Sequence, residues 1–478
     1  MRSTASLALL LAGLVAAPLA AQTRPLAPGD YVGSLDVGGV TLRVGFSVRA
    51  RPDGSLEADL DSYDQGTMNI PVDSVRVAGD SVGFWFRRIG GSYRGRLEGD
   101  GRVIAGIWRQ GPASFPLRVT WADSAAVAAF APCRTQQPKP PFPYRVEELA
   151  VESAPGVRLA GTLTLPQGAG PHPAVVLVSG SGAQDRDETL VGHKPFLVLA
   201  DYLTRRGIAV YRYDDRGTAR STGNHATATS ADFADDARAA VAALRARPDI
   251  RRDAVGIAGH SEGGLIAPLV ARDPAAGVGF IVMLAGPGIP GDSILLLQAD
   301  LIAKAGGTPD SVRARNRVAS RRIYDLVRTE RDTLRLLQGV REQARALLAA
   351  TLNAQQRPDS TMVELQVRQL TSPWFRYFLS YDPRPTLRAV KAPVLALNGT
   401  LDLQVPAQEN LRAIEAALRE GGNRDVTIVT LPGLNHLFQT ATTGAPTEYA
   451  SIAETFAPAA LQRIGDWIAE RFPPVRAD

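Results

Sequence analysis

The hydrophobic period changes once along this chain, and that change limits what it can fold into. Between residues 29 and 121 apolar side chains recur at every second position. In VTLRVGFSVRA, Val40, Leu42, Val44, Phe46 and Val48 share one face, while Thr41, Arg43, Ser47 and Arg49 share the other. Period two is the repeat of a half-buried strand, because successive side chains point to opposite faces. Pro52-Asp53-Gly54, Gly79-Asp80, Gly90-Gly91, Gly99-Asp100-Gly101 and Gly111-Pro112 supply turns between the runs. This punctuation predicts an antiparallel all-β domain over residues 22–131, of about seven or eight strands. A small lipocalin-like barrel and a small sandwich both satisfy the pattern. Trp85, Trp108 and Trp121 are expected to plug and cap its core rather than line a ligand cavity.

Residues 132–145 carry five prolines, in the run APCRTQQPKPPFP and its flank, and read as a semi-rigid linker that spaces two domains. From residue 146 the texture is different. AVVLVSG (174–180), IAVYRYD (208–214), AVGIAGHS (254–261) and GFIVMLAGPG (279–288) are near-continuous apolar runs. They alternate with amphipathic stretches such as PFLVLADYLTRRG and ADFADDARAAVAALRA. Strands with no polar face must be covered on both sides, so residues 146–478 are expected to form a mostly parallel α/β sheet with helices on both faces. Between about 289 and 385 the pattern is helical, before strand-like runs resume at APVLALNGT and DVTIVTLPG. A helical block between two sheet strands is expected to be a cap inserted over the sheet's carboxyl edge.

Composition removes several classes. A chain of 478 residues with 45% AVILMFWYC has ample material for a packed core and is not disordered. The net charge is +5, with pI about 9.4. Only Lys139, Lys194, Lys304 and Lys391 are lysines, however, and the arginines are scattered among 48 acids without a basic run. No nucleic-acid partner is expected. Arg2 followed by SLALLLAGLVAAPLA reads as a signal peptide over residues 1–21, with cleavage near Ala21 or Gln22. The run is too short for a membrane span, and no later stretch resembles one. The expected location is therefore periplasmic or secreted. Cys133, the single cysteine, allows no intramolecular disulfide and is expected to be an incidental thiol in the linker.

The chemistry-bearing residues fall at strand ends. Gly259-His260-Ser261-Glu262-Gly263 follows the apolar run AVGIA and precedes the helix-compatible GLIAPLVAR. A serine on a sharp strand-to-helix turn stands exposed above the sheet, with glycines where the backbone leaves no room for a Cβ. A serine needs a base, and the base needs an orienting acid. Of five histidines, His436 lies just past the last strand-like run, where a loop can bring it over Ser261. His260 adjoins the serine and is expected to point away from it; His172 is expected to face solvent, and His193 and His225 to be structural. Asp402 follows PVLALN directly and is the expected acid, with Asp382 and Glu409 as fallbacks. Asp402 would alternatively cap the helix beginning near Pro406. For an oxyanion hole, the amides of Glu262 and Ser181 are the expected donors, with Gly182 as runner-up. Trp374 and Phe375, in SPWFRYFLSY, are candidate acyl-pocket contacts, and a cap core would explain them equally well. No cofactor motif and no metal-ligand cluster is present in the sequence, so none is expected.

The segments SGSGAQDRDE, HKPFLVLADYL, YRYDDRGTARSTG, GHSEGGLIAP and LAGPG resemble the α/β-hydrolase superfamily over residues 146–478. More closely, they resemble the exported bacterial carboxylesterases grouped as serine aminopeptidase-like hydrolases. The resemblance implies a Ser-Asp-His hydrolase that acts through an acyl-enzyme on a small-molecule ester, with Asp214–Arg216 bracing the active edge. One departure is Ser179-Gly180, where many relatives carry His-Gly. Two alternatives stay open: an aminopeptidase or other amide or thioester hydrolase of the same fold, and a non-catalytic binding protein. The β-domain could dock the enzyme on carbohydrate or envelope material. Acyl length, oligomeric state and ester-versus-amide preference are not legible.

Overall fold

The computed structural model describes residues 26–473, apart from 38–39, 66, 88, 112, 131–133, 169 and 350–359. The expected signal segment 1–21 and Cys133 lie outside the described residues. The chain divides into two compact units, residues 1–62 with 68–131, and residues 63–67 with 132–478.

The first unit is one antiparallel sheet of nine strands, more than the seven or eight expected. They are β1 (Gly29–Val37), β2 (Val40–Ala50), β3 (Leu56–Ser62), β4 (Thr67–Pro71), β5 (Ser74–Ala78), β6 (Ser81–Phe86), β7 (Gly91–Glu98), β8 (Val103–Gln110) and β9 (Ala113–Ala122). Their order is β4-β3-β2-β1-β9-β8-β7-β6-β5, and helix α1 (Ser124–Phe130) follows. The sheet coils into a half-barrel rather than a two-sheet sandwich. Phe46 on β2 and Phe84 on β6 are five places apart in that order, yet their rings meet at 4.8 Å. Tyr93 stacks on Phe46 at 5.3 Å and donates its hydroxyl to the carbonyls of Ile104 and Leu117, both at 2.9 Å. Trp108 is buried in this core, whereas Trp85 and Trp121 are only partly covered.

The second unit holds an eight-stranded sheet: β10 (Arg145–Ala154), β11 (Val157–Leu165), β12 (His172–Val178), β13 (Ala209–Tyr213), β14 (Ile250–His260), β15 (Ile281–Leu284), β16 (Val394–Gly399) and β17 (Val426–Leu431). The order is β10-β11-β13-β12-β14-β15-β16-β17, with β10 and β11 antiparallel and the pairs from β13 to β17 parallel. Along β12 the apolar run divides between two cores. Ala174, Val176 and Val178 pack with α3 (Ser230–Arg245) and α4 (Glu262–Ala271). Val175 and Leu177 pack with α2 (Pro195–Arg205) and α12 (Pro458–Arg471) on the opposite face. Each such side chain contributes about 1.5–3 kcal/mol on burial, which explains a strand with no polar face. His172 opens β12 and is buried, contrary to the expectation of solvent exposure, because the strand starts ahead of the apolar run.

After β15 the chain leaves the sheet as helices α5 (Gly291–Ala305), α6 (Asp310–Thr329), α7 (Thr333–Ala349), α8 (Ser360–Leu370), α9 (Pro373–Ser380) and α10 (Pro383–Ala389). It returns at β16 and passes through α11 (Ala407–Glu420). The helices share a small core of their own, including Ile323, Val327, Leu336, Val340 and Phe375. The strand order reverses about β12, which pairs with β13 on one side and β14 on the other. Loops leaving the carboxyl ends of β12 and β14 therefore part there and open a crevice.

The proline-rich stretch is not a free spacer. Arg134 donates to the carbonyls of Ile452 (2.7 Å) and Ala450 (2.8 Å). Gln136 donates to the Phe456 carbonyl at 2.7 Å and accepts from the Thr455 amide at 2.5 Å. The polar residues between the prolines, which composition alone treats as solvated, satisfy main-chain groups of the second unit.

Replacing Phe46 by Ala should cost the β unit about 3–5 kcal/mol, since the ring is fully buried among Phe84, Phe86 and Tyr93. Urea denaturation monitored by near-ultraviolet circular dichroism would measure the loss.

Candidate active site

Ser261 directly follows β14 and caps α4 with φ 52° and ψ −115°. A non-glycine residue in this region carries about 1–3 kcal/mol of strain, so its surroundings must impose it. Two backbone bonds pin the turn: the Ser261 amide donates to Leu284 O at 2.8 Å, and the Gly264 amide donates to Ser261 O at 2.9 Å. The glycines make room. A Cβ on Gly259 would stand 1.9 Å from Gly263 O, and one on Gly263 would stand 2.1 Å from Val178 O. The expected strand–turn–helix presentation of Ser261 is therefore what the backbone adopts.

His436 and Asp402 are brought together. His436 Nδ1 lies 2.8 Å from Asp402 Oδ2, and both side chains are buried. The other Asp402 oxygen accepts from the amides of Gln404 and Val405, each at 2.8 Å. The loop-capping role and the histidine-orienting role are thus filled by separate oxygens of one carboxylate. With Asp402 ionised, Nδ1 carries the proton and Nε2 presents its lone pair. Asp382 instead accepts from the Arg384 amide at the start of α10, and Glu409 is exposed on α11.

Ser261, His436, Ser181 and Glu262 line one cavity of about 460 Å³. Its far wall comes from the helical insert: Ile294, Leu295 and Gln298 on α5, Gln369 on α8, and Trp374, Phe375 and Phe378 on α9. Among the described residues the amides of Ser181 and Glu262 donate no hydrogen bond, whereas the Gly180 amide is held by Glu188 Oε1 at 2.7 Å. Gly182 is exposed and lies outside the cavity lining. Phe375 serves in both places weighed from sequence, since it lines the cavity and also packs in the insert's core.

Three buried acids hold this site together, and spacing in the sequence did not reveal their roles. Asp215 accepts from Ser179 Oγ (2.8 Å) and the Gln184 amide (3.0 Å), so it suspends the loop after β12. Burial raises its carboxyl well above the usual range. Behind it, Asp214 pairs with Arg186 at 2.9 Å and Arg216 with Asp236 at 2.7 Å, the bracing expected of this segment. Glu262 Oε1 accepts from Ser230 Oγ (2.5 Å) and from Trp374 Nε1 (2.7 Å), joining the serine turn to α3 and to α9. Burial raises this carboxyl too, against the lowering pull of those donors and of Ser181.

Glu188 is the third acid. One oxygen takes both the Gly180 amide and His260 Nδ1, the latter at 2.9 Å. His260 Nε2 faces the His436 carbonyl, also at 2.9 Å. Both partners are acceptors, so the ring satisfies both only as an imidazolium. Burial opposes that charge, but the adjacent Glu188, the His436 carbonyl and Asp402 outweigh it and raise the His260 pKa. His260 does turn away from the serine, and in doing so ties the loop after β12 to the loop that carries His436. The signal was present only as an acid in SGSGAQDRDE and a histidine in GHSEG; a chain reversal with Glu188 at φ 51° brings them together.

The family model described as "Serine aminopeptidase, S33" (Hydrolase_4) matches residues 194–440, just over half of the chain, and the chain belongs to that family of α/β-hydrolases. Among curated proteins, Esterase EstD of Thermotoga maritima is 30% identical over 281 residues. That alignment covers 58% of this chain, and the chain spans 58% of the relative's length. Among solved structures, a Pyrococcus furiosus esterase aligns with TM-score 0.42 and 14% identity, covering 69% of this chain and 92% of that one. A proline iminopeptidase of Mycobacterium smegmatis aligns with TM-score 0.42 and 18% identity, covering 68% and 98%.

The raised His260 pKa gives a signed pH effect. Its contribution to stability is complete below the unfolded imidazole value of about 6.5 and is lost as pH rises through the higher folded value. The stability gap between wild type and His260→Gln should therefore narrow as the pH of urea titrations is raised from about 6 to 9. A gap that widens with pH would contradict the imidazolium assignment.

Proposed function

We propose that the protein is a serine carboxylic ester hydrolase that works through an acyl-enzyme on Ser261. The observation that carries this reading is the buried His436–Asp402 pair, 2.8 Å apart, in the same cavity as a serine held on a strained turn. His436 Nε2 takes the Ser261 proton as Oγ attacks the ester carbonyl, and Asp402 holds the resulting imidazolium in orientation. The unengaged amides of Ser181 and Glu262 stabilise the oxyanion, and the helix N-terminus behind Glu262 favours the same charge. His436 then protonates the leaving alcohol, and water repeats the sequence to release the acid. Glu188 and His260 act as positioning residues, because they hold the Gly180–Ser181 loop and the His436 loop at a fixed separation.

The helices from α5 to α9 serve as the cap, and their apolar wall of Ile294, Leu295, Phe375 and Phe378 takes the acyl chain. The curated relative's name, an esterase, supports this choice, whereas the family's description favours an aminopeptidase. An aminopeptidase needs a carboxylate for the substrate ammonium. Glu188 and Glu262 line the cavity, but one oxygen of each is already engaged by two internal donors. No arginine or lysine lines the cavity among the described residues, which suits uncharged esters. The leader expected over residues 1–21 would place this action in the periplasm or outside the cell.

Purified wild type and Ser261→Ala, compared on p-nitrophenyl esters of graded chain length and on aminoacyl anilides, test the proposal. Ser261→Ala should lower ester kcat by about 10⁶-fold and Asp402→Asn by about 10⁴-fold. Anilide turnover exceeding ester turnover would replace the esterase reading by the peptidase one. Glu188→Gln should lower kcat by about 10- to 100-fold with little change in KM, because loop position matters most when the oxyanion forms.

A further inference from the structure

The outward face of the β unit carries an arrangement for which the hydrolase chemistry has no use. Across β5, β6 and β7 the register places Arg76, Gly83 and Arg94 in one row, with Ser74, Trp85 and Ser92 in the next row on the same face. The intervening residues Val75, Val82, Phe84 and Tyr93 pack into the core, so these rows look outward. Trp85 does not stand up from the sheet. Its ring lies along its own strand over Gly83, where an added Cβ would meet ring carbon Cη2 at 2.3 Å. The guanidinium carbons of Arg76 and Arg94 each stand 5.3 Å from the ring centroid.

The neighbouring arginines divide into two kinds. Arg96 is paired with Asp80 at 3.1 Å, and Arg118 with Glu98 at 2.6 Å. Among the described residues no acid lies within ion-pair distance of Arg76 or Arg94, nor of Arg109, which sits opposite Ser92 on β8. Small side chains, Ala78, Ser81 and Ala105, leave the sheet low beside them, and the result is an open trough of about 620 Å³. An exposed arginine ordinarily loses rotamer freedom when it binds. Here the tryptophan has already ordered two guanidiniums, one from each neighbouring strand, and each retains hydrogen-bond donors for a carboxylate.

We propose that this trough binds an acidic polysaccharide, with sugar carboxylates on Arg76 and Arg94 and the sugar backbone lying along the low strip of Ala78, Ser81 and Ala105 beside the arginines. Charge complementarity points to a polyanion. The serines and small side chains suit a hydroxylated chain, and the trough presents no protruding apolar side chain of the kind that enters a lipid surface. The bound polymer would hold the hydrolase unit near esters attached to the same material. The site itself stands independently of the esterase reading.

Native affinity electrophoresis of the full-length protein tests this, in gels cast with polygalacturonate, with neutral pullulan or with no polymer. Wild type should be retarded by polygalacturonate alone, in a salt-sensitive manner. Arg76→Gln/Arg94→Gln should weaken that retardation by about tenfold or more, from two lost charge-assisted contacts. Trp85→Leu should weaken it less, because the cations remain but are no longer ordered. Arg49→Gln/Arg118→Gln makes the same charge change on the outward face of the sheet, with arginines already paired to acids and outside the trough, and should leave binding nearly intact. Equal losses in the two double variants would reduce the effect to net charge and overturn the proposal. Equal binding to duplex DNA or to anionic phospholipid vesicles would likewise overturn the assignment to a polysaccharide. Circular dichroism of each variant separates lost binding from lost folding, and ester turnover should be unchanged in all of them.

Discussion

The second unit is organised around backbone segments that touch where no side chain can fit. Gly259, Gly263 and Gly264 let the start of α4 lie directly against β14, the end of β12 and the loop after β15. A Cβ on Gly264 would stand 2.6 Å from the Gly286 Cα, and the contacts at Gly259 and Gly263 are tighter still. Because these approaches are between main chains, neighbours cannot yield by changing rotamers. The strain at Ser261 follows, since the chain must reverse within one residue to enter the helix. Such strain persists only where its surroundings over-determine it, and here two strands, a helix and a loop do so.

Around that rigid turn the loops are placed by hydrogen bonds to buried carboxyls. Asp215, Glu188 and Glu262 are buried carboxyls, and each holds groups from different parts of the chain. Burying a carboxyl is costly unless its oxygens are filled, and unequal distances between loops are what fill them. The arrangement divides the labour. Glycine contacts set the nucleophile's position, and buried acids set the positions of the loops that must meet it.

Legibility in the sequence followed the range of the interactions. The two textures, the serine turn and the order Ser261, Asp402, His436 depend on local pattern and on strand ends, and their placement was readable. The half-barrel's ninth strand was not, because β4 and β5 are five-residue strands separated by two residues and blur into one run. The bridging roles of Glu188, His260 and the Glu262 side chain escaped notice because their partners lie 8 to 176 residues away in the chain. His172 misled for the opposite reason: flanking prolines suggest an exposed turn, while its pairing to Ile250 draws it inside. The tie at Arg134 and Gln136 was hidden by the prolines around them.

That tie decides where the hydrolase unit begins. A fragment starting at β10 would contain every strand and helix of the sheet, yet it would strip partners from the carbonyls of Ala450, Ile452 and Phe456. The residues just beyond, Phe456 and Ala457, belong to the core beneath α12. The eleven residues ahead of β10 are thus a girdle on the unit's C-terminal turn, although they contribute no regular secondary structure. A self-sufficient fragment has to include Arg134, and a graft of this scaffold onto another leading domain has to join ahead of it.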